Sequence, residues 1–484
     1  MVAEEEAGKM RVLLVQPRDL AMAYTPKRPV MGLAILAAVL EKEGMDVKIM
    51  DMRLKDYSTI NCFKDTLKRF KPNVVGFTVA PLTTENVYML AKIVKEKTSA
   101  MTIAGGPEVS LLPEQILSNR CIDFVIHGEA DYSLPQFITN HFMKKSWKGI
   151  YGLGYKKNGK LIINPRKDVE DLDKIPFPAW DYFPLKKYNK DVSKIKFPII
   201  TSKGCPYRCT YCVASRTMGR YRVRSAKSVA DEIEHLKKKY GVATFQIEDD
   251  NFALDKNRIF EICSEIIKRK LNVRWSISEG FVASHADYKL FKKMKEAGCY
   301  LIAIGVETTD KEILKNVKKP VSLEQIKYAF KSAKKAGLIT KGFFICGLPG
   351  ATYKKEMEYI RFFKEVDMDI PRFGTIMVYP KTELYDWVKK NAHLLYEDID
   401  SLHNQLSETT GDTSNLKFMK PVYETPEFSK EERKKAFYIC NEEANKWALQ
   451  KLLGKQLGFL AWCLSKIRPI RKVGERILDY SNKI

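Results

Sequence analysis

Cys205, Cys209 and Cys212 stand in the order C-x-x-x-C-x-x-C within the stretch Gly204-Cys-Pro-Tyr-Arg-Cys-Thr-Tyr-Cys212. Thiolates at that spacing can each take one iron of a cubane 4Fe–4S cluster, and the fourth iron is left without a protein ligand. An amino acid can then chelate that iron through its amine and carboxylate. A zinc site would need a fourth Cys or His nearby, and none follows at a suitable interval. Three core cysteines brought together by coincidence are hard to reconcile with a polar, Pro-containing loop. The remaining seven of the ten cysteines (Cys62, Cys121, Cys263, Cys299, Cys346, Cys440 and Cys463) are scattered singly, mostly in apolar runs. That usage suits a reducing compartment and argues against a secreted disulfide framework.

The trio has to be positioned by the elements around it. It follows directly on an apolar run, Phe197 to Thr201, that opens a β-α series. Further strands are predicted at Phe245 to Asp249, Val273 to Ser278, Leu301 to Val306, Gly342 to Cys346 and Gly374 to Tyr379, with amphipathic helical stretches between them. This pattern predicts a partial (β/α)6 TIM-type barrel with the cysteines on a loop at its C-terminal mouth. An earlier β-α series begins at Arg11 to Gln16 and runs through Val47 to Met52, Asn73 to Ala80, Met101 to Gly105 and Phe124 to His127. It predicts an α/β, doubly wound, Rossmann-like (flavodoxin-like) domain whose ligands sit beyond the strand ends. The expected layout is a flexible tail 1–9, a first domain 10–148, a Pro- and charge-rich linker 149–192, the barrel 193–395 and an α-helical basic region 396–484 with a polar loop near 408–415.

With Tyr211 just before the last Cys, the trio resembles the signature of the radical S-adenosylmethionine (SAM) superfamily. The resemblance extends over most of the chain, to the subclass that carries a cobalamin-binding domain. It rests on Ile175-Pro-Phe-Pro-Ala-Trp-Asp181, Tyr221-Arg-Val-Arg-Ser225, Glu248-Asp-Asp-Asn-Phe252, Gly305-Val-Glu-Thr308, Gly347-Leu-Pro-Gly350, Tyr379-Pro-Lys-Thr-Glu-Leu384 and the Gly105-Gly106-Pro107 turn. The resemblance implies that Cys205, Cys209 and Cys212 ligate the cluster, and that its reduction cleaves SAM to methionine and a 5′-deoxyadenosyl radical. Glu248, Asp249 and Asp250 would accept hydrogen bonds from the methionyl ammonium. Glu307 would meet the ribose, and Tyr211, Gly347 and Pro349 would flank the adenine. The alternative for each acid is a strand-end carboxylate that caps the next helix. Relatives often carry Arg where this chain has Ser278-Glu279-Gly280, so the clamp on the SAM carboxylate is expected from Arg274 or Lys341.

In the first domain the resemblance places cobalamin over Thr78, Gly105, Gly106, Glu108 and Gly128. The axial-histidine motif D-x-H-x-x-G is absent, and Glu108 stands where relatives often have His. His127 reads as a structural residue. The alternative is a vestigial domain that shapes the substrate channel.

A formal charge of +24 implies an anionic partner or a solvated lysine coat. Between Lys446 and Lys483, nine Lys or Arg interleave with Trp, Leu, Phe and Ile, a composition that suits an interfacial helix on an anionic membrane. An ordinary packed helix with snorkelling lysines is the alternative. The N-terminus lacks an apolar signal core and no uncharged run spans a bilayer. The expected location is the cytoplasm, with peripheral attachment to the inner face of the cell membrane. The expected activity is methylation of, or C–C bond formation at, an unactivated carbon of a membrane lipid. A soluble peptide, antibiotic precursor or tetrapyrrole is the alternative substrate, and an iron–sulfur redox or RNA-binding module the non-enzymatic one. An external electron donor of flavodoxin or ferredoxin type is implied, and nucleic acid is disfavoured as a partner.

Overall fold

The computed structural model describes residues 9–18, 26, 28–396 and 421–465. The polar loop at 408–415, the basic residues from Lys466 onward and all but Lys9 of the N-terminal tail lie outside the described residues. The first domain is a seven-stranded sheet in the order β2-β1-β3-β4-β5-β6-β7. Its strands are β1 (Arg11–Gln16), β2 (Asp46–Asp51), β3 (Val74–Thr78), β4 (Met101–Gly105), β5 (Phe124–Ile126), β6 (Leu153–Lys157) and β7 (Lys160–Ile163). The first five are parallel. Helices cover both faces, so alternate residues of β1 enter two cores. Leu13 and Val15 join one, while Val12 and Leu14 join the other, which continues into the barrel. This explains the unbroken apolar run of β1.

The segment expected as a linker corrects the sequence-based layout. Its residues 153–163 form the antiparallel hairpin β6–β7, which extends the first sheet. Alternation there is weak because β7 is an exposed edge. The true connector follows. Trp180 is buried against Phe197 at a ring distance of 5.1 Å, and the Ala179 N–H donates to Ala34 O at 3.0 Å, which ties the two domains together.

In the barrel, the six parallel strands run in the order β15-β14-β13-β12-β11-β8. They are β8 (Phe197–Ile199), β11 (Thr244–Ile247), β12 (Arg274–Phe281), β13 (Cys299–Glu307), β14 (Ile339–Cys346) and β15 (Ile370–Thr375). A short antiparallel pair, β9 (Ser202–Lys203) with β10 (Arg222–Val223), brackets the cysteine loop. Side-chain caps open the intervening helices: Ser225, Asp255, Asp287, Asp310, Ser322 and Thr352 each accept from a backbone N–H of the first turn. The last strand lies four residues before its expected start at Gly374. Pro371 argued against a strand there, yet β15 is the sheet edge, where proline is tolerated.

The helix Lys430–Leu453 runs the height of the barrel, about 36 Å. It starts at the mouth, where Arg433 Nη1 donates to Gly347 O at 3.0 Å, and ends near the base, where Trp447 Nε1 donates to Met368 O at 2.6 Å. A second helix, Lys455–Ser465, folds back along it.

Candidate active site

The cysteine loop is held by its backbone at several points. Gly204 has φ of +83°, and a Cβ there would lie 2.2 Å from Arg220 O. The loop therefore crosses the segment just before β10 with no room for a side chain. The Gly204 N–H donates to Asp250 Oδ2 at 2.8 Å, the Thr210 N–H to Val317 O at 3.0 Å, and the Leu384 N–H to Thr210 O at 3.0 Å. Tyr207 OH lies 2.7 Å from His285 Nε2. Two N–H groups point at sulfur: Ala214 N at 3.4 Å from Cys212 Sγ and Asn251 Nδ2 at 3.6 Å from Cys205 Sγ. Burial pushes the Cys209 thiol up to about 11 and raises that of Cys212; Cys209 also feels Cys212 and Cys205, and Cys212 feels Cys205. The Lys319 ammonium acts in the opposite direction on both.

The strand-end acids divide by what they touch. Asp249 is buried and turned into the protein. It accepts from Thr201 N at 2.6 Å, Thr201 Oγ1 at 2.5 Å and Ser202 Oγ at 2.6 Å, and Arg258 stands 3.8 Å away. Both its oxygens are committed, so the expectation that it meets the methionyl ammonium is corrected: Asp249 anchors the root of the cysteine loop. Asp250 lies under the loop through Gly204, and Glu248 pairs with Arg28 of the first domain. Glu307 ends β13 at a bulge with φ of +63°, a left-handed conformation uncommon outside glycine and typical of functional strain. Its carboxylate pairs with Lys319 Nζ at 2.5 Å and accepts from the Tyr211 hydroxyl. Burial works against the Lys319 charge, but Glu307, helped by Cys209 and Cys212, more than offsets it and holds the ammonium above the usual lysine range.

Lys319 was missed from the sequence because it lies in a turn 12 residues after Glu307 with no motif around it. Neither expected clamp residue occupies this place. Arg274 starts β12 at the base of the barrel and stacks on Tyr300, and Lys341 stacks on Phe343 well before the mouth end of β14. At the mouth end, Gly347 has φ of +90° and donates to Glu356 Oε1 at 2.6 Å, while its carbonyl accepts from Tyr423 OH at 2.5 Å. Pro349 follows, half-buried, and Tyr211 shares the apolar cluster of Leu348.

The C-terminal edge of the first sheet gathers Thr78, Gly105, Gly106, Glu108 and Gly128. Val79 N donates to Gly105 O at 2.7 Å, Glu108 N to Val79 O at 3.2 Å, and Gly128 N to Ser110 Oγ at 3.0 Å. Gly106 has φ of +105° and sits so close that a Cβ would be 2.8 Å from Val79 O. His127 is structural, as expected, with Nε2 2.8 Å from Asn164 O. Asn86 Oδ1 is buried at the same edge with no partner among the described residues. Burial also pushes the Glu108 carboxyl up to about 7. A group that holds its proton more tightly when folded contributes stability that is whole below the ordinary carboxylate range and is lost as pH rises towards 7. Glu108→Gln is therefore expected to gain stability relative to the parent apoprotein between about pH 4 and pH 8, by at most roughly 3 kcal/mol. Urea titrations across that range check it.

This edge faces the cysteine loop. The helix Pro107–Leu111 packs on the helix Ala214–Thr217 immediately after Cys212. The Tyr379 phenol, raised by burial, feels both the Glu108 carboxyl and the Cys212 thiol. A buried ion cluster locks the arrangement. Glu129, at the end of the first sheet, meets Arg222 Nη1 at 2.6 Å and Lys203 Nζ at 3.1 Å, the two residues that bracket the cysteine loop. Burial alone would raise the Glu129 carboxyl, but these cations and the Val169 N–H hold it below the usual range. Arg222→Met removes one of the two cations on that carboxylate, leaving Lys203, and should cost about 2 kcal/mol in urea unfolding, whereas Arg222→Lys should cost less.

Residues 199–363 match the radical SAM superfamily, and residues 19–138 match the B12 binding domain. The chain is 33% identical over 394 residues, 80% of its length and 84% of the relative's, to an uncharacterised methyltransferase of Pyrococcus horikoshii. It belongs to the radical SAM superfamily, in the subclass with a cobalamin-binding domain. The radical SAM enzyme is also 28% identical over 396 residues, 78% of this chain and 69% of the other, to an anaerobic magnesium-protoporphyrin IX monomethyl ester cyclase of Rubrivivax gelatinosus. Its fold is that of TsrM, a radical SAM methyltransferase of Kitasatospora setae solved with cobalamin and a [4Fe–4S] cluster bound. The TM-score is 0.72 at 17% identity, covering 98% of this chain and all (100%) of that one.

The residues fit the cofactors of this radical SAM subclass: a 4Fe–4S cluster, SAM and cobalamin. Among the described residues no three His, Cys, Asp or Glu side chains converge on a single ion. A cubane asks for something different, one thiolate per iron on a shared loop, and Cys205, Cys209 and Cys212 meet that demand. For cobalamin, the small strand-end residues at Gly105, Gly106 and Gly128 and the unpartnered Asn86 Oδ1 leave an edge suited to a flat, polar-rimmed ligand.

Proposed function

We propose that this enzyme transfers a methyl group to an unactivated carbon of a membrane lipid. One observation supports the transfer: the helix at the glycine edge of the first sheet, Pro107–Leu111, packs on the helix Ala214–Thr217 that follows the cysteine loop, so the two edges share one seam. A bound cluster would supply the electron for reductive cleavage of SAM and bound cobalamin the methyl group. The chain's own residues bind, orient and exclude water. Cys205, Cys209 and Cys212 hold the cluster. Lys319 is a buried cation beside two of them and suits the SAM carboxylate, the part first expected of Arg274 or Lys341. Glu307 suits the ribose hydroxyls, and Tyr211, Gly347 and Pro349 suit the adenine. Asp250 and Glu248 suit the methionyl ammonium. Asn251 and the Ala214 N–H, by donating to sulfur, stabilise the reduced cluster.

The net charge of +24 and the basic, apolar chain end support a lipid substrate and a peripheral place on an anionic membrane face. No helix among the described residues is long and apolar enough to cross a membrane. An acidic flavodoxin- or ferredoxin-type donor suits the same charge. The likeness to a tetrapyrrole cyclase favours one second reading, C–C bond formation on a soluble substrate. The test is anaerobic reconstitution with methyl-labelled SAM, cobalamin and either a lipid extract or a soluble metabolite extract. Label in the lipid fraction together with 5′-deoxyadenosine is expected. Label only in the soluble fraction, or 5′-deoxyadenosine with no transferred label, would refute the lipid methylation reading.

A further inference from the structure

The last described helix, Lys455–Ser465, carries a row of leucines that the other described residues leave uncovered. Leu457 is 65% exposed, Leu460 55% and Leu464 38%. Their spacings of three and four residues place them on one helical face. Leu452 and Leu453, exposed by 38% and 37%, continue the patch across the Gly454 turn. Isolated exposed leucines are ordinary, but a contiguous row marks an interaction surface.

The helix is seated on its neighbour through Gly458. A Cβ on Gly458 would lie 2.4 Å from Gln450 Cα, so the two helices cross at close backbone contact. Lys446 lies 5.4 Å from the Phe459 ring centroid and 5.2 Å from that of Trp462. The leucine row is thus presented by a docked element.

The charge around the row selects its partner. Lys446 and Lys451 pair with Glu443 and Asp367, but from Leu452 to Gly474 the sequence has no Asp or Glu and carries five Lys or Arg: Lys455, Lys466, Arg468, Arg471 and Lys472. A second copy of the chain would bring like charges face to face. A surface with apolar depth and anionic headgroups satisfies both features, because leucines enter the acyl boundary while lysines meet phosphates. We propose that the Leu457–Leu460–Leu464 face is a membrane-docking surface whose partner is an anionic lipid bilayer.

Its place in the fold sets the enzyme's orientation. The Gly454 turn lies near the barrel base, since Trp447 and Lys451 bind Met368 and Asp367 just before β15. Arg433, at the mouth, is about 30 Å away along the helix. Docking through the leucine row therefore seats the flank of the barrel, beside the helix Lys430–Leu453, on the bilayer. The docking surface stands independently of the lipid-substrate reading, and a soluble substrate would leave it in place.

The test is flotation of the full-length protein with phosphatidylglycerol-containing vesicles and with pure phosphatidylcholine vesicles. Expected are binding to the anionic vesicles alone, release by high salt, and at least about a tenfold loss of binding in L457S/L460S. Its circular dichroism and 5′-deoxyadenosine formation should remain unchanged. Lys455→Glu, which keeps the apolar face, should weaken binding and its salt dependence. Absence of wild-type binding at low salt overturns the proposal, as does undiminished binding by L457S/L460S. A wild-type dimer that this variant makes monomeric, with no vesicle binding by either, would assign the face to self-association instead.

Discussion

Replacing Cys205, Cys209 or Cys212 by Ala is expected to reduce 5′-deoxyadenosine formation to the background of iron-free protein and to bleach the cluster's visible absorption. The same variants should lose less than about 1 kcal/mol of stability. The loop is held by Gly204 on Asp250, Thr210 on Val317, Leu384 on Thr210 and Tyr207 on His285, and none of these contacts uses a thiol. Removing one ligand from a three-thiolate site leaves the rest of the loop in place but no full set for the cubane. Anaerobic iron and sulfide assays, absorption spectra and product chromatography on each variant check this. A single variant that kept both absorption and product would remove the cysteines from the chemistry.

The second large effect is expected at Lys319. Lys319→Met leaves the Glu307 carboxylate buried with no cation, which should cost about 3–5 kcal/mol in urea unfolding. Lys319→Met combined with Glu307→Gln removes the stranded charge and should restore most of that loss, a coupling expected of contacting residues. If Lys319 also meets the SAM carboxylate, a charge-assisted bond of about 1.5–3 kcal/mol is lost. The double variant, stable again, should then bind SAM roughly 10- to 100-fold more weakly than Glu307→Gln alone. Calorimetric titration of SAM into reconstituted protein separates the two effects. Restored stability with the SAM affinity of Glu307→Gln alone would make Lys319 a structural partner of Glu307 and nothing more.

Much of the site was legible because local chemistry imposes local sequence. The C-x-x-x-C-x-x-C spacing follows from presenting one thiolate to each of three irons. The helix starts were legible because Ser225, Asp255, Asp310 and Ser322 cap their own first turns. Gly106 was legible because a strand end that brings a Cβ to 2.8 Å from Val79 O excludes a side chain. What failed was of another kind. Asp249 and Asp250 are neighbours in one acidic triplet, and only the position of Thr201, Ser202 and Arg258 shows that Asp249 points inward. The β6–β7 hairpin escaped notice because its outer strand is a solvated edge.

By itself, the sequence determined two β-α series, the cysteine loop at the mouth of the second, and the acids and glycines that end the strands. Each of these is specified by periods and spacings of a few residues. Only the tertiary structure decided that Lys319 pairs with Glu307 beside the cysteines, that Glu129 of one domain is clamped by Lys203 and Arg222 of the other, and that Gly347 is capped by Arg433 and Tyr423 from the chain's end. Several of these pairs join residues far apart in the chain. A buried charge accepts any opposite charge that the fold delivers, so such partners leave no periodic trace in the chain.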